Sequence, residues 1–249
     1  MSIDVVDLRN FYVQRLGSVA RHFVSRGIRK RWADTRGLRV LGVGYATPYL
    51  GLFREESDRT LAFMPAAQGV VKWPTAKPAL SALVDDLDLP LPDAAVDRVL
   101  LVHALEMSHD PTALLREIWR VMASGGRLLA VVPNRRGVWA RMDTTPFGHG
   151  RPYSRAQIMY LLREAWFTPV DWSEALYVPP VQYGWFLRSA VAWERTGAVV
   201  SAPFAGVHIV EATKQVYRAI PAKRAKRRLV PALEPALAPS PGGAARQSP

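Results

Sequence analysis

The sequence predicts an α/β fold: a mostly parallel, seven-stranded sheet with helices on both faces, behind an N-terminal helical extension. Three observations predict it. Short apolar runs rich in β-branched residues alternate with helical segments from Leu38 to Thr213. The first of these runs carries glycines, Gly42 and Gly44, and leads through Thr47 and Pro48 into a helix. Ahead of it, Val5, Leu8, Tyr12, Leu16, Val19 and Phe23 recur at three- and four-residue spacing, which predicts one long helix over residues 3–33, or two in succession.

The strands read, in order, as Leu38–Val43, Thr60–Phe63, Leu80–Val84, Val96–Val102, Arg127–Val132, Val170–Leu176 and Val207–Thr213. Asp110 and Pro111 start a helix running to Met122, as N-cap and first helical residue. Gly125 and Gly126 then turn the chain into the fifth strand. Ser154 with Gln157 three residues later is a capping box for another helix. A further helix is expected around Trp185–Glu194. From about Pro221 the periodicity stops, and a segment rich in Pro, Ala and charge reads as a disordered tail. The organisation is thus an extension over 1–37, a domain over 38–220 and a tail over 221–249.

The chain has 249 residues, 49% of them hydrophobic, enough for a sizeable core. It has no cysteine, which excludes disulfides, thiolate metal sites and cysteine nucleophiles. Asp4 and Asp7 stand where a secretory signal needs a basic and then an apolar run. No stretch reaches the roughly 18 uncharged apolar residues of a spanning helix. The expectation is a soluble, cytoplasmic protein. Net charge is +12, but it is concentrated at the ends: +6 over residues 1–39, +5 over 223–249 and +1 between. A nucleic-acid enzyme is expected to line its active face with Lys and Arg, so nucleic acid is disfavoured as a partner. The basic face of the N-terminal helix reads as a solvated surface, a lid over substrate or a contact with a membrane surface.

The segment RVLGVGYATPYL places Gly44 directly after a strand, where a side chain would hold the backbone away from a ligand. Asp85 and Asp86 follow the third strand, and LPLPDAAVDRVLL leads through Asp97 into the fourth. HALEMSHDPTALLREIWRVMASGGRLLAVVPN continues through a helix and a double glycine into the fifth. Together, over roughly residues 38–170, these resemble the type 11 group of class I S-adenosylmethionine-dependent methyltransferases. The resemblance implies a Rossmann-like fold, S-adenosyl-L-methionine as cofactor and methyl transfer to an acceptor. A small, partly apolar or lipid-like molecule is the expected acceptor.

The resemblance also implies where the cofactor lies. Gly42, Gly44 and Tyr45 match the loop beside its methionine part. Asp85 matches the carboxylate that receives the adenine amino group, with Asp86 and Leu87 beside the ring, and His103 matches the residue near the sulfonium. The chain departs from the pattern at the loop, where Gly42 stands for an acid and Ala46 and Pro48 for glycines. It departs again after the second strand, where Met64 stands for the acid that holds the ribose hydroxyls. On this alignment an acid at position 64 is expected to strengthen cofactor binding.

Methyl transfer needs alignment and exclusion of water more than a fixed residue set. The catalytic candidates are therefore His103, His149 and Tyr153, the last two on the loop TTPFGHGRPYS. That loop reads equally as an acceptor closure and as an ordered surface connector. His103, Glu106 and His109 are spaced by threes, but they coincide with the connecting segment of the resembled family, and no metal site is expected. Two rival readings remain. One is a degenerate methyltransferase fold that binds without catalysing. The other is a nicotinamide-dependent dehydrogenase, against which GVGYAT, with Thr47 at the third glycine position, is a defective fingerprint.

Overall fold

The computed structural model of the chain describes residues 3–180 and 205–215. The helix expected at 185–194 and the tail at 221–249 lie outside the described residues.

Seven strands form one sheet: β1 (Arg39–Gly44), β2 (Arg59–Pro65), β3 (Ser81–Val84), β4 (Val96–Val102), β5 (Met122–Pro133), β6 (Phe167–Ala175) and β7 (Val207–Lys214). Their order is β3-β2-β1-β4-β5-β7-β6. The first five run parallel, and β7 is antiparallel to both β5 and β6. The central strands are apolar on both faces, as a sheet covered on both sides requires: every residue of β1 after Arg39 is buried. The expected fold class and the seven strands hold.

Helices cover both faces, α1 (Val5–Val13), α2 (Arg15–Arg31) and α3 (Thr47–Leu50) on one and α4 (Pro111–Val121) and α5 (Arg155–Glu164) on the other. The local start signals are realised. Asp110 accepts from the backbone N–H of Ala113, and the Ser154–Gln157 capping box is complete. The N-terminal extension is two helices, broken at Gln14, whose backbone is extended. The corner is tight: a Cβ on Gly17 would collide with the Phe11 carbonyl. Indole Nε1 of Trp32, just past α2, donates to the buried Glu211 carboxylate at 3.2 Å. Arg29 and Arg31 tie α2 to Glu56 and Asp171.

Two local expectations are corrected. The helix after β1 is a single turn, and its N-cap is Ala46 rather than Thr47, with no side-chain cap. One turn sums few peptide dipoles, so this terminus is a poor anion site. Gly125 and Gly126 lie within β5, which starts earlier than their turn signal suggests because Met122 already pairs with Val96. Among the described residues no helix is long and apolar enough to cross a membrane.

Candidate active site

The carboxyl ends of β1 and β4 adjoin at the centre of the sheet, the edge where open α/β sheets bind ligands. Gly44 ends β1 with φ +81°, and a Cβ there would collide with the Val102 carbonyl and crowd Ala104. Its glycine is therefore required by the approach of β1 to β4, a packing reason the sequence does not display. Gly42 is required likewise by Leu50 and Ala46 of the following turn.

His103 follows β4 with φ +50°, a left-handed conformation costly for a residue with a side chain and kept only where its surroundings fix it. Here they do. The Gln68 amide donates to the His103 carbonyl. Its ring Nδ1 faces Glu106 Oε1 at 3.2 Å, and its Nε2 faces the Tyr12 hydroxyl at 2.8 Å. Tyr12 comes from α1, 91 residues away in sequence, and its hydroxyl also meets that of Tyr49 at 3.0 Å. Its ring stacks on Tyr45 with centroids 5.8 Å apart. Burial pushes the Tyr12 and Tyr49 hydroxyls well above the ordinary tyrosine range, so both are neutral donors. His103 and Glu106 are buried, with one oxygen of Glu106 and one of Gln68 lacking any partner. A buried histidine oriented by a carboxylate, with its second nitrogen on a hydroxyl, can take a proton from an acceptor occupying that hydroxyl's place.

The structure brings Gly44, and Tyr45 through Tyr12, to His103. Met64, the last but one residue of β2, does not open to solvent. It is fully buried in the core, where its sulfur accepts the Val71 N–H at 3.5 Å. An acid at 64 would place its charge among apolar side chains, a cost set against any bond it made to the cofactor. Asp85, Asp86 and Leu87 lie past the end of β3, on the same edge and two strands from β1. Asp85 accepts the Leu87 N–H at 2.9 Å, and both residues are exposed.

The loop after β5 divides the other candidates. The Tyr153 hydroxyl donates to the Leu105 carbonyl at 3.3 Å, so it braces the segment after β4. His149 Nε2 lies 2.9 Å from the Asp143 carbonyl and also lines a cleft of about 650 Å³ between α1 and this loop. Asp4, Asp7 and Asp143 line the same cleft. Among the described residues no group of His, Asp and Glu has metal-binding geometry.

Sequence reasoning missed Tyr12, Gln68 and the role of Glu106. Tyr12 sat on an apolar stripe and was indistinguishable from core. Gln68 carries no motif. Glu106 was visible, but only as a neighbour of His103 at helical spacing.

Residues 26–130 match the family model described as a methyltransferase domain. A probable S-adenosylmethionine-dependent methyltransferase from Mycolicibacterium smegmatis is 37% identical over 86 residues, 34% of this chain and 33% of that protein. Ajmaline N-methyltransferase from Rauvolfia serpentina is 30% identical over 102 residues, 39% of this chain and 33% of that protein. The chain spans about a third of the length of these curated relatives. The crystal structure of an S-adenosylmethionine-dependent methyltransferase from Thermotoga maritima superposes with a TM-score of 0.59 at 15% identity, covering 85% of this chain and 96% of that one. That likeness concerns the fold. The matched model thus lies across the first five strands, which build the candidate site, and over that part the chain is similar to S-adenosylmethionine-dependent methyltransferases.

Proposed function

We propose that the protein transfers a methyl group from S-adenosyl-L-methionine to a small, partly apolar or lipid-like acceptor, with His103 as general base and Glu106 as the residue that orients it. The observation that carries this reading is the buried pair itself, His103 Nδ1 on Glu106 and Nε2 on the Tyr12 hydroxyl. The cofactor supplies an electrophilic methyl on a sulfonium. Gln68 and Glu106, each with a buried oxygen lacking a partner, fit its hydroxyl and ammonium donors. Gln68 follows β2, so it can stand in for the ribose-holding acid that Met64 replaces. Asp85 and Asp86 are suited to the adenine end. Tyr45, Tyr49 and Phe147 around His103 exclude water and favour an acceptor with an apolar body. Asp4, Asp7 and Asp143, which line the cleft beside α1, oppose a polyanionic acceptor.

Calorimetry tests the reading: S-adenosylhomocysteine is expected to bind more tightly than NAD. Tighter binding of NAD overturns it in favour of a dehydrogenase. One observation favours a second reading, a methyltransferase fold that binds without catalysing: the full burial of Met64 where related enzymes place an acid. Failure to bind either S-adenosylmethionine or its demethylated product would select that reading.

A further inference from the structure

The outward face of α2 is a continuous cationic surface. Its 17 residues include no acid. Leu16, Ala20, Phe23, Val24 and Ile28 are buried, so the helix is fixed in orientation on the sheet. At 100° per residue, Arg15, His22, Arg26 and Lys30 fall within roughly 80° of one another, while Arg21 is turned roughly 100° away from His22, toward the edge of the buried face. The row extends roughly 22 Å along the helix at 1.5 Å per residue. All five side chains are exposed. The other two cations of α2's last turn, Arg29 and Arg31, are neutralised by Glu56 and Asp171. Arg15, Arg21, Arg26 and Lys30 have no ion pair among the described residues. Beside the row, at the junction with α1, Val13 is 79% exposed, and Val6 on α1 is 45% exposed.

We propose that this face docks the protein on an anionic lipid bilayer. Charge complementarity names the partner's sign, and the exposed valines name its kind: a row of cations beside protruding apolar side chains suits headgroups above an acyl boundary. Nucleic acid would need the cationic track to continue around the molecule, yet residues 40–222 sum to only +1. The surface stands independently of the catalytic reading, and its test does not use activity.

The full-length chain is sedimented with phosphatidylcholine vesicles and with vesicles containing roughly a third phosphatidylglycerol. Binding is expected only to the anionic vesicles at low salt, and it should be lost as salt is added. Replacing Arg15, Arg21, Arg26 and Lys30 together by Gln should weaken binding by roughly tenfold or more with melting unchanged. Because removal of four charges can disturb folding, a second variant keeps the charge: Arg15→Lys, Arg21→Lys and Arg26→Lys together should bind as the parent does. Equal binding to neutral vesicles, undiminished binding of the Gln variant, weakened binding of the Lys variant, or tighter binding to duplex DNA than to the anionic vesicles overturns the proposal.

Discussion

The Tyr12 hydroxyl, carried on the first helix, lies 2.8 Å from Nε2 of His103, the left-handed residue that directly follows the fourth strand. This bond joins the N-terminal extension to the centre of the candidate site and also engages Tyr49. Tyr12→Phe keeps the ring and its stacking on Tyr45 but leaves two buried polar groups without their partner. Stability is expected to fall by about 2 kcal/mol and the melting midpoint by roughly 4–8 °C. A scanning calorimetry trace unchanged from the parent would show that the hydroxyl is dispensable.

Gln68 is placed to hold a ligand because its side-chain oxygen is buried without a partner while its amide nitrogen supports His103. Gln68→Leu preserves volume and removes both groups. Affinity for S-adenosylhomocysteine should drop roughly tenfold, the worth of one ordinary hydrogen bond. Titration calorimetry at equal affinity to the parent would take Gln68 out of the site.

Met64→Glu tests the end of β2. The side chain is fully buried, so the carboxyl must enter the core. The expected cost is about 2–4 kcal/mol in urea unfolding, with no gain in affinity for S-adenosylhomocysteine. Tighter binding by a stable Met64→Glu protein would mean that the strand end opens to the ligand after all.

His208 supplies a pH dependence. Burial against Trp172 holds its imidazole down to about 4, with Arg155 adding to the shift, and neither ring nitrogen has a hydrogen-bond partner. The unfolded chain takes up this proton near pH 6.5, whereas the folded chain resists it. Its contribution is therefore complete above pH 6.5 and lost as pH falls toward 4, by about 3 kcal/mol. Glu174, 3.3 Å from His208 and raised by its own burial, titrates with the opposite sign, so the comparison must be between proteins. His208→Gln should unfold in urea with a shallower loss of stability between pH 6.5 and 4 than the parent; parallel curves would contradict this.

What was legible in the sequence was local. Asp110 with Pro111, and Ser154 with Gln157, announce helices because caps are satisfied within one turn. The strands announce themselves because a sheet covered on both faces demands continuous apolar runs. Gly44 was visible as a glycine, but its reason, the carbonyl of Val102, lies in another strand. The break at Gln14 carries no side-chain cap and is accompanied by the packing of Gly17 on Phe11, so its residues alone did not distinguish one helix from two. Tyr12 lay on the same stripe as Leu8 and Leu16, and only partners 37 and 91 residues away separate it from them.

The covering of His103 by α1 has a kinetic consequence. A ligand that must reach Nε2 can do so only in the fraction of molecules whose Tyr12 has swung away, and its apparent dissociation constant is its intrinsic one divided by that fraction. Association then approaches a ceiling as ligand concentration rises, set by the opening rate of a nine-residue helix held by Tyr12, Phe11 and the Val5 N–H on Gln68. On the proposed reading of His103 as the base, the first turns of the chain act as a valve whose stiffness sets how fast an acceptor is admitted.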